Sequence, residues 1–531
     1  MSQIQTDAVV TPRLYTWLGF IFAAALVAAI NILIAPVHQV FHRVLVFSLL
    51  MLTLAQIRHT GWCRLVSLIV LSFVALDLTL TLWAWFSFHS AFSYGFAQSV
   101  LETSATEAFT MLELYWRYVL LFIGVLALLL LSVSFTPTLP RRFRRWPVIA
   151  LILLLAGYSV QAALHQWRRN NLQSPVQRVL TSTPLSNTSV FLQALKDKQL
   201  IASVTKNAPR YQLVVSDTGI DNYVLVIGES ERTVNMSIYG YERETTPALE
   251  AQRKNLLLFT QAISGTPVTI TAVPLALTAD TPENHDISHY SDNIINVANQ
   301  AGFTTYWFSR QGSGGAHNNV ITAIASGAHH SQWVNSGYDD ALLPLFRHAL
   351  QQPGKKLIVL HLYGSHENAC DRYPVNAAVF TGSNPADDCY DNSVRFTDSL
   401  MDQLFSELQG SRSSLLYFSD HALMREPGKA VVYHHAGTRP PREALQVPMF
   451  LWFSPQLAMQ NMTVGDMNTL WSTVNNNRLA ELWMGITRKG EVTESLNEYL
   501  HRNSGQAEVM DTTGRVYPWS ELPHENNDIA Q

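Results

Sequence analysis

Apolar runs too long for the interior of a water-soluble domain fill the first third of the chain. They cover about Leu14–Ala35, Val40–Gln56, Leu65–Phe86, Tyr118–Phe135 and Trp146–His165. A helix needs about 20 apolar residues to cross the hydrocarbon layer, and five transmembrane helices are expected, the second being the shortest. The first is too long, and too soon followed by further spans, to be only a cleaved signal peptide. Arginines set the orientation. Arg58 and Arg64 lie in the second connection, and Arg141, Arg142, Arg144 and Arg145 precede the fifth span. The positive-inside rule makes both connections cytoplasmic, which delivers the rest of the chain to the opposite side. Asp77 lies within the third span, where an ionisable residue is either functional or hydrogen-bonded to neighbouring helices; the sequence gives it no role. The connection Ser87–Arg117 faces the same side as the C-terminal portion. Its centre, AQSVLETSATEAFTMLELYW, has the pattern of a helix lying on the bilayer surface or of a packing element.

Three segments are expected: a membrane domain over 1–170, a linker over 171–215 and an α/β domain over 216–531. In the last, the apolar runs YVLVIG (223–228), TTYWFS (304–309), KLIVLHLYG (356–364), SLLYFSD (414–420) and VPMFLWF (447–453) alternate with helix-like stretches. Unbroken apolarity suits parallel strands covered on both faces, and the alternation suits βαβ units. The formal net charge of −4 gives no reason to expect a nucleic-acid partner.

Ligands of parallel α/β sheets bind beyond the carboxyl ends of the strands. Glu229 follows the first run, His366 follows KLIVLHLYGS, Asp420 and His421 follow SLLYFS, and His434 and His435 precede the VPMFLWF run. Singly, such residues are helix caps or satisfied surface groups. Together, two carboxylates and several imidazoles at one sheet edge form a ligand set suited to zinc. The stretch QAISGTPVTITAVPLALT adds threonine hydroxyls ahead of a helix-like run. These are either turn hydroxyls bonded to the backbone or a hydroxyl at a helix N-terminus, where an anion is favoured and a metal makes the oxygen nucleophilic.

With five spans ahead of it, the set GESERTVNMSIYGYERETTP, SGTPVTITAVP, GSHENAC, CYDNS and SDH with a distal histidine resembles the phosphoethanolamine transferases of the alkaline phosphatase/sulfatase superfamily. The resemblance runs to about Gly485. It implies an N-terminal five-helix transmembrane bundle and a C-terminal periplasmic α/β domain of sulfatase type, in a bacterial inner membrane. It places the zinc ligands on Glu229, Asp420 and His421, with Thr269 as ligand and nucleophile. His366 and His435 match histidines beside the transferred phosphate, sometimes holding a second metal. An extra residue between Gly265 and Pro274 keeps Thr266 and Thr271 open as alternatives. QSVLETSATEA resembles the family's lipid-head-group segment, which puts Thr103 and Glu107 on family positions and Ser99 in place of an asparagine. Cys370 and Cys389 fall where the family has a disulfide, and Cys63 is expected to stay reduced at the cytoplasmic face. Ala422 stands where the family has glycine.

The implied activity is transfer of phosphoethanolamine from phosphatidylethanolamine to a hydroxyl of lipopolysaccharide, lipid A or a periplasmic glucan, through a phospho-threonine. The alternatives are a tethered glycerol-phosphate transferase, a sulfatase- or phosphatase-type hydrolase, and a non-catalytic scaffold. A sulfatase is disfavoured because GTPVT lacks the arginine of a C/S-x-P-x-R arrangement.

Overall fold

The computed structural model describes residues 15–58, 61–88, 91–102, 105–169, 175–204, 208–311, 320–382, 384–426, 431–458, 463–491 and 494–525. The chain divides into two compact units, Met1–Ala97 with Ala105–Ala194, and Gln98–Ser104 with Leu195–Gln531.

The first unit is helical. The N-terminal helices are α1 (Tyr15–Ile32), α2 (Val37–Ile57), α3 (Gly61–Phe88), α4 (Tyr94–Glu102), α5 (Ala105–Phe135), α6 (Trp146–Arg169), α7 (Pro175–Thr181) and α8 (Ser186–Val204), of which α4 from Gln98 and α8 from Leu195 belong to the second unit. Ala23 and Val27 of α1, Phe47 and Met51 of α2, Leu71 and Val74 of α3 and Leu129 of α5 pack into one core. Large apolar side chains such as Phe22, Ile123 and Leu153 face outward, as lipid-facing residues do. Among the described residues, four helical stretches are long and apolar enough to cross a membrane: Val37–Ile57, Gly61–Ser87, Leu114–Phe135 and Arg141–Ala163. The described part of the expected first span is an apolar helix over Trp17–Ile32. Of the expected surface helix, α4 and the start of α5 cover the described residues, and α5 kinks at Tyr115 (φ −108°, ψ 18°) before entering its apolar stretch.

Asp77 has a structural task. Its carboxylate accepts from the backbone N–H groups of Asn187 (2.8 Å) and Thr188 (3.1 Å) at the start of α8, while Asn187 Nδ2 donates to the Asp77 carbonyl at 2.8 Å. A carboxylate on the free N–H groups of a helix N-terminus is a cap supplied from a neighbouring element. Thus two helices, α7 and α8, occupy much of the expected linker.

The second unit is built on an eight-stranded sheet. Its strands are β1 (Asn222–Gly228), β2 (Leu256–Phe259), β3 (Thr304–Ser309), β4 (His330–Trp333), β5 (Lys356–His361), β6 (Ser413–Ser419), β7 (Met449–Phe453) and β8 (Gly465–Met467). Their spatial order is β8-β2-β7-β6-β1-β5-β3-β4. Side chains alternate along β1 between two cores: Tyr223, Leu225 and Ile227 enter one and Val224 and Val226 the other. Both faces are covered, which is why the run is unbroken in the sequence. All pairings among β6, β1, β5, β3 and β4 are parallel. The expectation of parallel direction fails for VPMFLWF, since β7 is antiparallel to both β6 and β2. All five residues of β7 are buried; double-sided burial fixes apolarity, and strand direction leaves no trace in it.

The central strands end in register. Gly228 of β1 lies opposite Ser419 of β6, so Glu229 and the pair Asp420–His421 emerge side by side. Gly228 admits no side chain, because a Cβ there would lie 2.2 Å from the Tyr417 hydroxyl. The continuation of β5 passes as closely. Gly364 has φ +48°, and a Cβ on it would meet the Glu229 carbonyl oxygen at 2.6 Å.

Replacing Asp77 with Ala should lower stability by about 0.5–2 kcal/mol, the usual contribution of an N-terminal cap, measured by thermal unfolding in detergent. Any activity of the second unit, per folded molecule, should be retained. Loss of activity with unchanged stability would contradict the capping role.

Candidate active site

Six segments converge at the site, four of them leaving the carboxyl ends of β1, β3, β5 and β6 and two carrying Thr269 and His435. Glu229, Asp420 and His421 are fully buried, whereas Thr269, His366 and His435 are half-buried and reachable from outside. Thr269 is the first residue of α9 (Thr269–Leu277). That helix is apolar on every side and buried from Ile270 onward, so its position is set by packing. The residue before it, Val268, is extended and has no side-chain oxygen to cap the helix. The first N–H groups and the positive end of the helix dipole are therefore left for an anion.

The Thr269 hydroxyl lies 3.0 Å from Glu229 Oε2 and 3.1 Å from His421 Nε2. His421 Nδ1 donates to the Ala422 carbonyl at 3.0 Å, which puts the ring proton on Nδ1 and turns the Nε2 lone pair towards the threonine. One hydroxyl proton thus faces two acceptors. His421 Nε2 is also 3.4 Å from Glu229 Oε1 and 3.5 Å from Asp420 Oδ2. Of the alternative hydroxyls, Thr266 and Thr271 are buried and 3.4 Å from each other, and Thr271 donates to the Val268 carbonyl. His434 turns away, with Nδ1 on the His435 carbonyl (2.9 Å) and Nε2 3.3 Å from Glu426.

Burial pushes the Glu229 carboxyl up, with the nearby Asp420 charge adding to the effect, and pushes Asp420 up to about 6. Burial likewise lowers His421 to about 4. Asp420 Oδ2 is buried without a hydrogen-bond partner. Two buried acids, a lone pair directed at them and an unpartnered carboxylate oxygen are the donor set of a cation site. Ligand atoms of Glu229, His421 and His435 lie within 4.8 Å of one another, so His435 stands beside Asp420 as a candidate ligand.

Two functional neighbours escape the sequence reading. Gln311 Nε2 donates to Glu229 Oε2 and to the Leu362 carbonyl, both at 2.7 Å; it sits two residues past β3, where the strand-end rule would have found it. Glu367 is buried, and its Oε1 accepts from the His435 ring Nδ1 (2.7 Å) and backbone N–H (3.0 Å). Burial alone would raise the Glu367 carboxyl, but the His435 imidazole holds it down at about 2. The same pairing raises His435 above its ordinary range against the opposing effect of burial, whereas burial lowers His366. Ring centroids of His435 are 5.4 Å from His366 and 4.8 Å from His421.

The backbone around the acids is fixed tightly. Ser230 has φ +60°, a left-handed conformation that functional sites retain when neighbours enforce it. Its N–H donates to Asp420 Oδ1 (3.1 Å), its hydroxyl to Glu229 Oε1 (2.5 Å), and its carbonyl accepts from Tyr390 (2.5 Å). A disulfide, Cys370–Cys389, ties the loop after His366 to α10 (Pro385–Leu408); Cys63 is a free thiol. Of the expected head-group residues, Ser99 is exposed on α4. Thr103 and the side chain of Glu107 lie outside the described residues.

Residues 221–484 match the Sulfatase family and residues 5–205 the Transferase YhbX N-terminal domain. The chain is 41% identical over 525 residues to the YhbX protein of Escherichia coli strain K12, covering 97% of this chain and 96% of that one. It is 27% identical over 403 residues to phosphoethanolamine transferase EptC of the same strain, covering 68% and 70%. The crystal structure of the EptC periplasmic domain from Escherichia coli in complex with Zn superposes with TM-score 0.54 at 26% identity, over 60% of this chain and 99% of that one. The integral membrane protein lipooligosaccharide phosphoethanolamine transferase A from Neisseria meningitidis shares the fold, with TM-score 0.62 at 18% identity over 89% and 95%.

Purified protein should contain a divalent cation by elemental analysis, and Asp420→Ala or His421→Ala should lose it. Gln311→Ala, which removes a partner of Glu229, should weaken metal affinity about 10–100-fold. Metal-free wild-type protein that resists loading would contradict the assignment.

Proposed function

The chain belongs to the phosphoethanolamine transferase family of the alkaline phosphatase/sulfatase superfamily, and on that premise we propose that it moves phosphoethanolamine from phosphatidylethanolamine to a hydroxyl of lipid A, another part of lipopolysaccharide or a periplasmic glucan. The observation that carries this reading is the Thr269 hydroxyl, within 3.0 Å of Glu229 and 3.1 Å of His421 at an uncapped helix N-terminus. The proposed cofactor is zinc, held by Glu229, Asp420 and His421 with Thr269 beside it. When bound, zinc supplies positive charge that lowers the hydroxyl pKa and balances the phosphoryl oxygens.

In the first half-reaction Thr269 gives its proton to Glu229 Oε2, which already accepts it, and the threonine oxygen bonds to phosphorus. The phosphorus–oxygen bond to diacylglycerol breaks, and the departing oxygen takes a proton from His435 Nε2. The Glu367 carboxylate favours the doubly protonated imidazole that this step needs. His366 offers a hydrogen bond to a phosphoryl oxygen, and the first N–H groups of α9 face the same charge. In the second half-reaction the acceptor hydroxyl returns a proton to His435 and bonds to phosphorus, while Thr269 leaves and recovers its proton. The apolar helices and the lipid donor fit together if the domain lies on the periplasmic side of an inner membrane crossed five times, α1 being the first span. Ser99, Thr103 and Glu107 are proposed as head-group contacts.

Assayed with head-group-labelled phosphatidylethanolamine, Thr269→Ala should fall to background, while Thr266→Ala and Thr271→Ala keep transfer. His435→Ala should lose about 10²–10⁴-fold. Undiminished transfer by Thr269→Ala would move the nucleophile, and preferential use of labelled phosphatidylglycerol would change the donor.

A further inference from the structure

The Sulfatase match ends at residue 484, yet the chain beyond it is folded onto the loops that carry the site. Strands β9 (Glu508–Met510) and β10 (Val516–Pro518) form an antiparallel hairpin, and Val509, Tyr517 and Leu522 pack with Ile263 and Leu445. The Met510 N–H donates to the Gly265 carbonyl at 2.8 Å, on the loop leading into Thr269. Arg442 donates to the carbonyls of Ser520 (2.8 Å) and Leu522 (3.1 Å). The loop of Arg442 is itself joined to the site: Ala422 N–H donates to the Ala444 carbonyl (3.1 Å) and Ser264 N–H to that of Leu445 (2.8 Å).

The described tail ends at Glu525, whose two oxygens each accept from the Arg232 guanidinium at 2.7 Å. Glu525 Oε1 also accepts from the Arg425 N–H at 2.5 Å. Arg232 is 2% exposed and stands three residues after Glu229. Its Nη1 also donates to the carbonyl of Leu423 (2.5 Å), two residues after His421, and its Nε to Asn235 (3.1 Å). One buried guanidinium therefore spans the two segments that carry the acidic and imidazole ligands.

We propose that Arg232 and Glu525 are positioning residues for the ligand cluster, so that the C-terminal tail is a working part of the active site. Arginine keeps its charge at any working pH. A buried guanidinium deprived of its carboxylate is strongly unfavourable and shifts towards water, which here takes the Leu423 bond with it and lets the Glu229 and His421 segments drift apart. The proposal rests on reading the cluster as a metal centre.

The test uses the full chain in detergent micelles, loaded with Co²⁺, whose visible absorption reports coordination geometry. Compared with wild type are Glu525→Gln, Glu525→Asp and the double variant Arg232→Met with Glu525→Met, which leaves no unpaired buried charge. In Glu525→Gln the cobalt band should change and chelators should remove the metal about 10-fold faster. Turnover with labelled phosphatidylethanolamine should fall about 10–100-fold at unchanged KM, and Glu525→Asp should recover part of it. The double variant should melt like wild type yet keep the altered cobalt band, and it decides the matter if Glu525→Gln fails to fold. Wild-type cobalt spectrum, metal release and turnover in the double variant would overturn the positioning role alone. Wild-type protein that takes up no cobalt would overturn the metal reading and this proposal with it.

Discussion

Two carboxylates are forced into one dry place. Glu229 and Asp420 leave adjacent strands whose last residues, Gly228 and Ser419, are paired, and both side chains are buried. Like charges about 4 Å apart repel by about 4 kcal/mol at an effective dielectric of about 20. A fold that keeps them there needs either a proton or a cation. His421 offers only a lone pair, since its Nδ1 proton is committed to the Ala422 carbonyl. The surrounding detail follows from this constraint: the glycines that let β6 and the end of β5 approach, the left-handed Ser230 between the acids, and the Tyr390 and Gln311 bonds that leave little freedom to swing apart.

Around that centre the side chains divide by accessibility. The three buried groups are sheltered from solvent, as ligands are, and the three half-buried groups are where a phosphodiester could reach. Thr269 belongs to both sets, touching Glu229 and His421 while facing outward from a helix end. Glu367 gives His435 a charge preference opposite to that of His366. On the proposed reading, this contrast separates the proton donor from the neutral hydrogen-bond partner.

Much of this was legible in the sequence because strands covered on both faces write themselves as unbroken apolar runs, and the chemistry comes just after them. That rule found Glu229, His366, Asp420 and His421. It could not give the direction of β7, whose burial looks the same either way. It passed over Gln311, two residues past its strand, and Glu367, whose importance lies in a contact 68 residues away along the chain. The tail offered no motif because its grip on the site runs through backbone carbonyls and one long-range ion pair. In the membrane half, composition marked the apolar segments but not the kink at Tyr115 or the capping of α8 by Asp77, since both depend on packing between helices.

The central claim is that Thr269 itself carries the phosphoethanolamine between donor and acceptor. Incubating the full chain with phosphatidylethanolamine without acceptor, quenching, and sequencing the peptides by mass spectrometry tests it most directly. The account predicts a phosphoethanolamine adduct on Thr269 that disappears when acceptor is added. An adduct on another residue, or donor turnover with Thr269 unmodified at every time point, would contradict it.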